Sequence, residues 1–157
     1  MIVVRQAEVG DIPAIERLLG EVLEIHAVLR PDLFISGTTK YTRDELEAIL
    51  KNEKTPVFVA ADETNRVAGY VFCVLQDAPK STNMRKVRSV YIDDLCVDES
   101  ARGQHVGRAL LDFVKAYAKE HGFYAVTLHV WEGNDRARAF YEKNGMKVKE
   151  TTMEYVV

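Results

Sequence analysis

The stretch Arg102-Gly103-Gln104-His105-Val106-Gly107-Arg108-Ala109 lies between an apolar, strand-like run, Ile92 to Val97, and a helical pattern, so its backbone amides open a helix directly after a strand. Glycines at 103 and 107 remove side chains where a ligand must come close to the backbone. Unpaired first-turn N–H groups and the positive end of the helix then favour an anion. No Gly-Lys-Ser/Thr follows, and the glycine spacing is not G-x-G-x-x-G. The loop therefore reads as a phosphate site that is neither a P-loop nor a dinucleotide fingerprint.

Outward from this loop, the apolar set Val106, Ala109, Leu110, Phe113, Val114 and Tyr117 recurs at helical steps over 104–121, with Arg108, Asp112, Lys115 and Lys119 outside and Gly122 as terminator. Tyr124 to Trp131 is rich in β-formers, which predicts a strand-helix-strand crossover with parallel strands. A short helix over 134–144, stopped by Gly145, and a last strand over 147–157 complete this half. Upstream, Ile2 to Arg5 predicts a strand. Asp11 predicts the cap of a helix carrying Ile12, Ile15, Leu18, Leu19, Val22 and Ile25 and ended by Pro31. Thr42-Arg43-Asp44-Glu45 is a capping-box pattern opening a second helix through Leu46, Ile49 and Leu50. Residues 56–61 and 68–75 flank a polar turn at Asp62 to Arg66 and read as a hairpin, with the next strand over 89–97. Ligands of such α/β arrangements bind at the carboxyl ends of the parallel strands, where both the glycine loop and Gly133-Asn134 fall.

The 157 residues suit a single domain, 1–157, with no repeat or linker, and 29% charged against 47% hydrophobic residues is an ordinary globular balance. A net charge of −3 gives no basic footprint for nucleic acid, and the cluster Lys80 to Arg88 is interrupted by Ser81, Thr82, Asn83 and Val87, as in a flexible hairpin or lid. No stretch has the length of a membrane-spanning helix, and Met1-Ile2-Val3-Val4-Arg5 does not read as a signal peptide, so a cytoplasmic protein with no membrane partner is expected. Cys73 and Cys96, two thiols in apolar runs, are expected to pack in the core. Scattered histidines at 26, 105, 121 and 129 predict no metal.

Two motifs in this order resemble the GNAT superfamily of acyl-CoA-dependent N-acetyltransferases. The loop from Arg102 to Ala109 matches the family's Arg/Gln-x-x-Gly-x-Gly/Ala pyrophosphate loop, and Asn134 to Met146 resembles its Asn-x-x-Ala-x-x-Phe-Tyr-x-x-x-Gly-Phe helix, with Met146 in place of the last Phe. Residues Ile2 to Ala7, Asp11 and Ile15 are similar to the family's opening strand and first helix. The resemblance implies an α/β fold with a mixed, mostly antiparallel sheet of about six to seven strands, about four flanking helices and a parallel strand pair splayed at the cofactor site. It also implies acetyl-CoA as acyl donor, with Arg102, Gly103, Gln104, His105, Val106, Gly107, Arg108, Ala109 and Asn134 at the cofactor and Leu95, Cys96 and Val97 beside the pantetheine arm. One free amide near Cys96 would polarise the thioester oxygen.

Acetyl transfer to an amine requires a neutral nitrogen, a polarised carbonyl and a proton for the departing thiolate. Tyr141 stands at the family's acid position. The base has two candidates. Asp93 aligns with the acidic position of polyamine-acetylating members, and His129, twelve residues before Tyr141, lies where some protein N-terminal acetyltransferases carry a Glu. Asp93 and Asp94 occupy consecutive strand positions, which predicts one on each sheet face. A lysine-like amine near pKa 10.4 costs roughly 4 kcal/mol to present neutral at pH 7, whereas a peptide α-amine near 8 costs only about 1 kcal/mol, so the demand for a base depends on the acceptor.

The acceptor side is expected from the first two helices and the loops around 26–41 and 77–88, with His26, Phe34, Tyr41, Glu24, Asp32 and the Asp93/Asp94 pair forming an aromatic and acidic vestibule that favours a cation. Three functions remain open: an N-acetyltransferase of a small or polyamine-like amine working by direct attack in a ternary complex, one acting on a protein N-terminus or lysine, and a non-catalytic acyl-CoA sensor. The apolar end Met153 to Val157 is expected to be able to pair across a homodimer.

Overall fold

A computed structural model describes residues 1–157. Along the chain run β1 (Val3–Gln6), α1 (Ile12–Leu29), α2 (Arg43–Lys51), β2 (Val57–Ala61), β3 (Val67–Gln76), β4 (Ser89–Val97), α3 (Val106–Glu120), β5 (Ala125–Leu128) and α4 (Asp135–Lys143). Their sequential pairing β1-β2-β3-β4-β5 is antiparallel except for the parallel β4–β5 pair bridged by α3. β2 is buried at every position and β3 over its first seven because helices cover both faces of the sheet. One core, with Phe58, Val71, Val90 and Ile92, packs under the α3 stripe Val106, Leu110, Leu111, Val114 and Ala118. The other joins Ile12, Ile15, Leu18 and Leu46 of α1 and α2 to Val59, Tyr70, Phe72 and Cys96. Each large aliphatic side chain in these stripes contributes roughly 2 kcal/mol of burial.

Local signals account for most boundaries. Thr42 accepts from the Glu45 amide at 3.2 Å while Glu45 accepts from the Thr42 amide at 3.0 Å, the expected capping box. Asp62 accepts from the Thr64 and Arg66 amides at 2.9 and 3.0 Å and turns the β2–β3 hairpin. Cys73 and Cys96 are free, buried and on opposite faces of the sheet, and burial raises Cys73 to about 12, which leaves it an unreactive packing group.

Four expectations are corrected. The sheet has five strands rather than six or seven, because residues 147–157 form no strand: none of their backbone groups is hydrogen-bonded to another. Asp11 does not cap α1. Its backbone is already helical, and its carboxylate is taken by Arg5 at 2.7 and 2.9 Å and by the Glu8 amide at 2.8 Å, an internal ion pair that outcompetes capping. Ile25 is exposed instead of buried, since it lies where α1 borders an open cleft. The loop 77–88 does not reach the acceptor side. Register pairs Gln76 with Ser89, so this loop leaves the opposite end of the sheet, about 16 Å from Asp94 at ~3.3 Å per residue, where Arg88 bonds the His121 carbonyl at 2.9 Å.

Candidate active site

The parallel pairing of β4 with β5 stops at Ile92 and Leu128, and past that point the two strands diverge. Tyr91 Oη and His129 Nδ1, 2.7 Å apart, bridge the fork. Beyond it opens a cleft of about 1500 Å³, bounded by α1, the 33–40 loop, β4, the start of α3, residues 128–131 and α4. A strand edge that has lost its neighbour leaves alternate amides and carbonyls of 93–97 free to pair with an extended amide-bearing ligand.

One wall is the glycine loop. Asp98, buried, accepts from the Ser100 amide at 3.0 Å and its hydroxyl at 2.9 Å, and Arg17 holds its other oxygen at 2.8 Å; this pins the turn that leads into the loop. Gly103 (φ 82°) and His105 (φ 61°) are both left-handed, so the chain coils into a concave nest before α3 starts at Val106. The amides of Gly103, His105, Val106, Gly107 and Arg108 have no backbone acceptor in the fold, as an anion cradle requires. Gly107 has a second function: a Cβ there would lie 3.2 Å from the Phe140 ring, so glycine lets α4 close on α3. Gly69 on β3 does the same beneath the cleft, where a Cβ would meet the Cys96 carbonyl at 2.8 Å.

The floor is shaped by a bulge. Phe72 pairs with Asp94 and Cys73 with Ile92, leaving Asp93 as an extra residue on β4. The bulge corrects the expectation of one carboxylate per face. Asp93 accepts from Lys40 Nζ at 2.9 Å and from Tyr41 Oη at 3.3 Å, Asp94 accepts from Tyr70 Oη at 2.7 Å, and Tyr41 and Tyr70 both belong to the α1–α2 face. Burial pushes the Asp94 carboxyl up to about 6, only partly offset by the Tyr70 hydroxyl and Lys40. Tyr141, partly buried on α4 against the other core, has its hydroxyl value raised by burial and by the nearby Asp94 charge, so it stays protonated across the physiological range. Asn134 caps α4, its side chain accepting from the Ala137 amide at 3.2 Å.

At the end of the cleft beside α1, His26 lies 5.1 Å from Phe34, and Phe34 meets the Trp131 ring edge-on at 5.5 Å. Burial and then the Lys40 charge lower the His26 value, so this ring is neutral at pH 7. Of the residues expected at the cofactor, Leu95, Cys96, Val97, Arg102, Gly103, His105, Val106, Gly107, Arg108 and Asn134 line the cleft, whereas Gln104 and Ala109 do not. Arg108 is shared with Asp112 at 3.5 Å. Asp93, Asp94, His129, Tyr141, His26 and Phe34 also line it; Tyr41 touches it only through its bond to Asp93. Glu24 and Asp32 do not line the cleft: Glu24 holds the loop at Ser36 and Gly37, and Asp32 is paired with Arg30. Sequence reasoning missed Lys40, Tyr70 and Trp131; the one available signal was an aromatic one, a tyrosine and a tryptophan in or beside strands.

The acetyltransferase (GNAT) family model matches residues 22–146. A crystal structure of a mutant of the BH1408 protein from Bacillus halodurans is 35% identical, covers 99% of both chains and superposes with a TM-score of 0.94. An uncharacterized N-acetyltransferase of Methanocaldococcus jannaschii is 30% identical over 119 residues, 76% of this chain and 51% of its own length. The peptidyl-lysine N-acetyltransferase YjaB of Escherichia coli is 30% identical over 108 residues, 68% of this chain and 60% of its own. The chain thus spans about half the length of the first and three-fifths of the second. With the match running from the middle of α1 to the end of α4, through the glycine nest and the forked strands, the chain belongs to the GNAT acetyltransferase family.

Proposed function

We propose that this protein is a cytoplasmic N-acetyltransferase that moves the acetyl group of acetyl-CoA to a primary amine by direct attack in a ternary complex, with a small, cationic acceptor. The observation that carries this reading is the set of unpaired amides at 103 and 105–108 opening onto the same cleft as Asp94 and Tyr141. In it, the nest and the rim residues Arg102 and Arg108 hold the pyrophosphate, and the free edge of β4 at Leu95 to Val97 pairs with the pantetheine arm. An amide there polarises the thioester oxygen. The acceptor ammonium gives one proton to Asp94, its nitrogen attacks the carbonyl carbon, the carbon–sulfur bond breaks and the sulfur takes a proton from Tyr141, while the second proton shed by the nitrogen restores the Tyr141 hydroxyl by way of water.

Asp94 takes the role of base in preference to Asp93 and His129. Asp93 is neutralised by Lys40 and His129 is tied to Tyr91, while the Asp94 carboxylate, at about 6, is a stronger base than an ordinary one by about 3 kcal/mol. Tyr141 works first as a hydrogen-bond donor to the developing thiolate, because its own raised value makes complete proton loss uphill until the sulfur, desolvated in the same cleft, becomes comparably basic.

The Lys40 ammonium paired with Asp93 supports a cationic acceptor, held beside this ion pair with its nitrogen toward Asp94. The aromatic cluster His26–Phe34–Trp131 narrows this end and favours a small acceptor over a folded protein. A lysine side chain on a peptide is the second reading, favoured by the same lysine-on-Asp93 contact and by the substrate in the name of the E. coli relative. The test is CoASH release across a panel of polyamines, amino sugars and lysine peptides: turnover with a small cationic amine supports the proposal, and saturable CoA binding with no release from any amine would leave a sensor.

A further inference from the structure

We propose that Lys40 is a self-acetylation site, its ε-amine taking the acetyl group of a donor bound in the cleft of the same chain when no other acceptor is present. The inference rests on the acetyltransferase reading above. Three lysines line the cleft: Lys40, Lys115 and Lys143. Lys115 is engaged by the Asn144 carbonyl, and Lys143 ends α4 beside that same asparagine. Lys40 is the one that reaches the bulge on β4. Its Nζ lies 2.9 Å from Asp93, the neighbour in sequence of the proposed base Asp94, and the bulge turns both carboxylates to one face of the sheet. The Lys40 charge acts to lower the Asp94, His26 and Tyr91 values, so the amine stands among the groups that would surround an acceptor nitrogen. Its side chain is 43% exposed, which leaves it open to an incoming thioester.

The loop that carries Lys40 is fixed on both sides. Upstream, Glu24 on α1 accepts from the Ser36 hydroxyl at 2.6 Å and the Gly37 amide at 2.8 Å. Downstream, Thr42 caps α2, and Tyr41 stacks on Phe72 with ring centroids 6.0 Å apart. A held backbone and a flexible four-carbon stem let Nζ pivot from Asp93 to Asp94 while the loop stays in place, and tethering replaces the encounter that a free amine would need. Burial acts to lower the Lys40 value, but the Asp93 bond and charge outweigh it and raise the value, so the resting group is an ammonium and the transfer is slow beside that to a free acceptor. In the step, the Lys40 nitrogen bonds the acetyl carbonyl carbon and the carbon–sulfur bond breaks with its electron pair on sulfur. The ammonium sheds two protons: one replaces the proton that Tyr141 gives the thiolate, and the other leaves through Asp94 to solvent. Acetylated Lys40 no longer neutralises Asp93, whose charge is then left for a cationic acceptor.

The test is mass spectrometry of the full chain incubated with isotope-labelled acetyl-CoA and no amine. One labelled acetyl group should appear per chain, mapped to Lys40 and matched by a single release of CoASH, at a fractional rate that does not change with protein concentration. Tyr141→Phe should slow the labelling by about 10–100-fold, in step with its loss of turnover on an added amine. Lys40 left unlabelled by a preparation that releases CoASH with an amine overturns this inference and leaves the acetyltransferase reading standing; no label and no CoASH with any amine overturns both. Label spread equally over the exposed Lys51 and Lys147, or a fractional rate that rises with protein concentration, overturns transfer within one chain. Unlabelled acetyl already on Lys40 in the purified chain supports the inference when Tyr141→Phe prepared alike carries none, and overturns it when both carry it.

Discussion

Replacing Asp94 by Asn should stabilise the fold and disable the enzyme at once. In the folded chain burial lifts this carboxyl from 3.8 to about 6, so ionising it there costs about 3 kcal/mol more than in the unfolded chain. Water in the open cleft screens part of this, leaving about 1–2 kcal/mol. The raised value means that the folded state holds the proton more tightly, so the group's favourable contribution is complete below 3.8 and is lost as pH rises through about 6. The carboxamide of the Asp94→Asn variant keeps an oxygen for the Tyr70 hydroxyl and never ionises. Melting curves of both proteins from pH 4 to pH 8 should therefore separate with rising pH, the variant gaining about 3–8 °C at the alkaline end for a chain of this size. Over the same range the wild-type kcat/KM should climb through an apparent pKa near 6, a limb absent from the residual activity of the variant. A melting difference that does not change with pH would refute the placement of a strained carboxylate at this bulge, and undiminished turnover by Asp94→Asn would refute its role as base.

Other outcomes follow from neighbouring contacts. Tyr141→Phe should lower kcat by about 10–100-fold with CoA affinity unchanged, since the ring still packs and only the donor is lost; equal losses in binding, measured by calorimetry, would make it structural. Lys40→Ala should lower KM for a cationic acceptor, because no resident ammonium then neutralises Asp93 beside the amine, and a raised KM in steady-state assays would show that Lys40 serves the acceptor instead. Gly103→Ala, at φ 82°, strains the nest by about 1 kcal/mol, which should weaken CoA binding several-fold with little change in melting temperature; affinity equal to wild type would remove Gly103 from the cradle. Leu110→Ala, fully buried between α3 and β3, should cost about 2–5 kcal/mol in denaturant unfolding, and a loss below about 1 kcal/mol would contradict its packing.

The nest and α4 were legible in the sequence because both depend on local chemistry: glycines where φ is positive, a helix start after a strand, and Asn134 as a cap. The carboxylate pair on β4 was also visible, but not its geometry. The bulge at Asp93 arises from register against Phe72 and Cys73, and nothing within β4 announces a slip set by another strand. Lys40 and Tyr70 escaped for the same reason, since they meet Asp93 and Asp94 across 53 and 24 residues of chain. The tail was misread in the other direction: its β propensity is real, but propensity without a neighbour makes no strand within one subunit. The 77–88 loop was misplaced because hydrophobic pattern identifies strands without saying which end of the sheet a connection leaves.

Calorimetry with graded fragments of the donor tests the central claim most directly. If the free amides of 103 and 105–108 grip the diphosphate, CoA and dephospho-CoA should bind with similar affinity, while pantetheine, which lacks both phosphates of the bridge, should bind about 100-fold more weakly or worse. Pantetheine binding as tightly as CoA, or no binding of CoA at all, would contradict it.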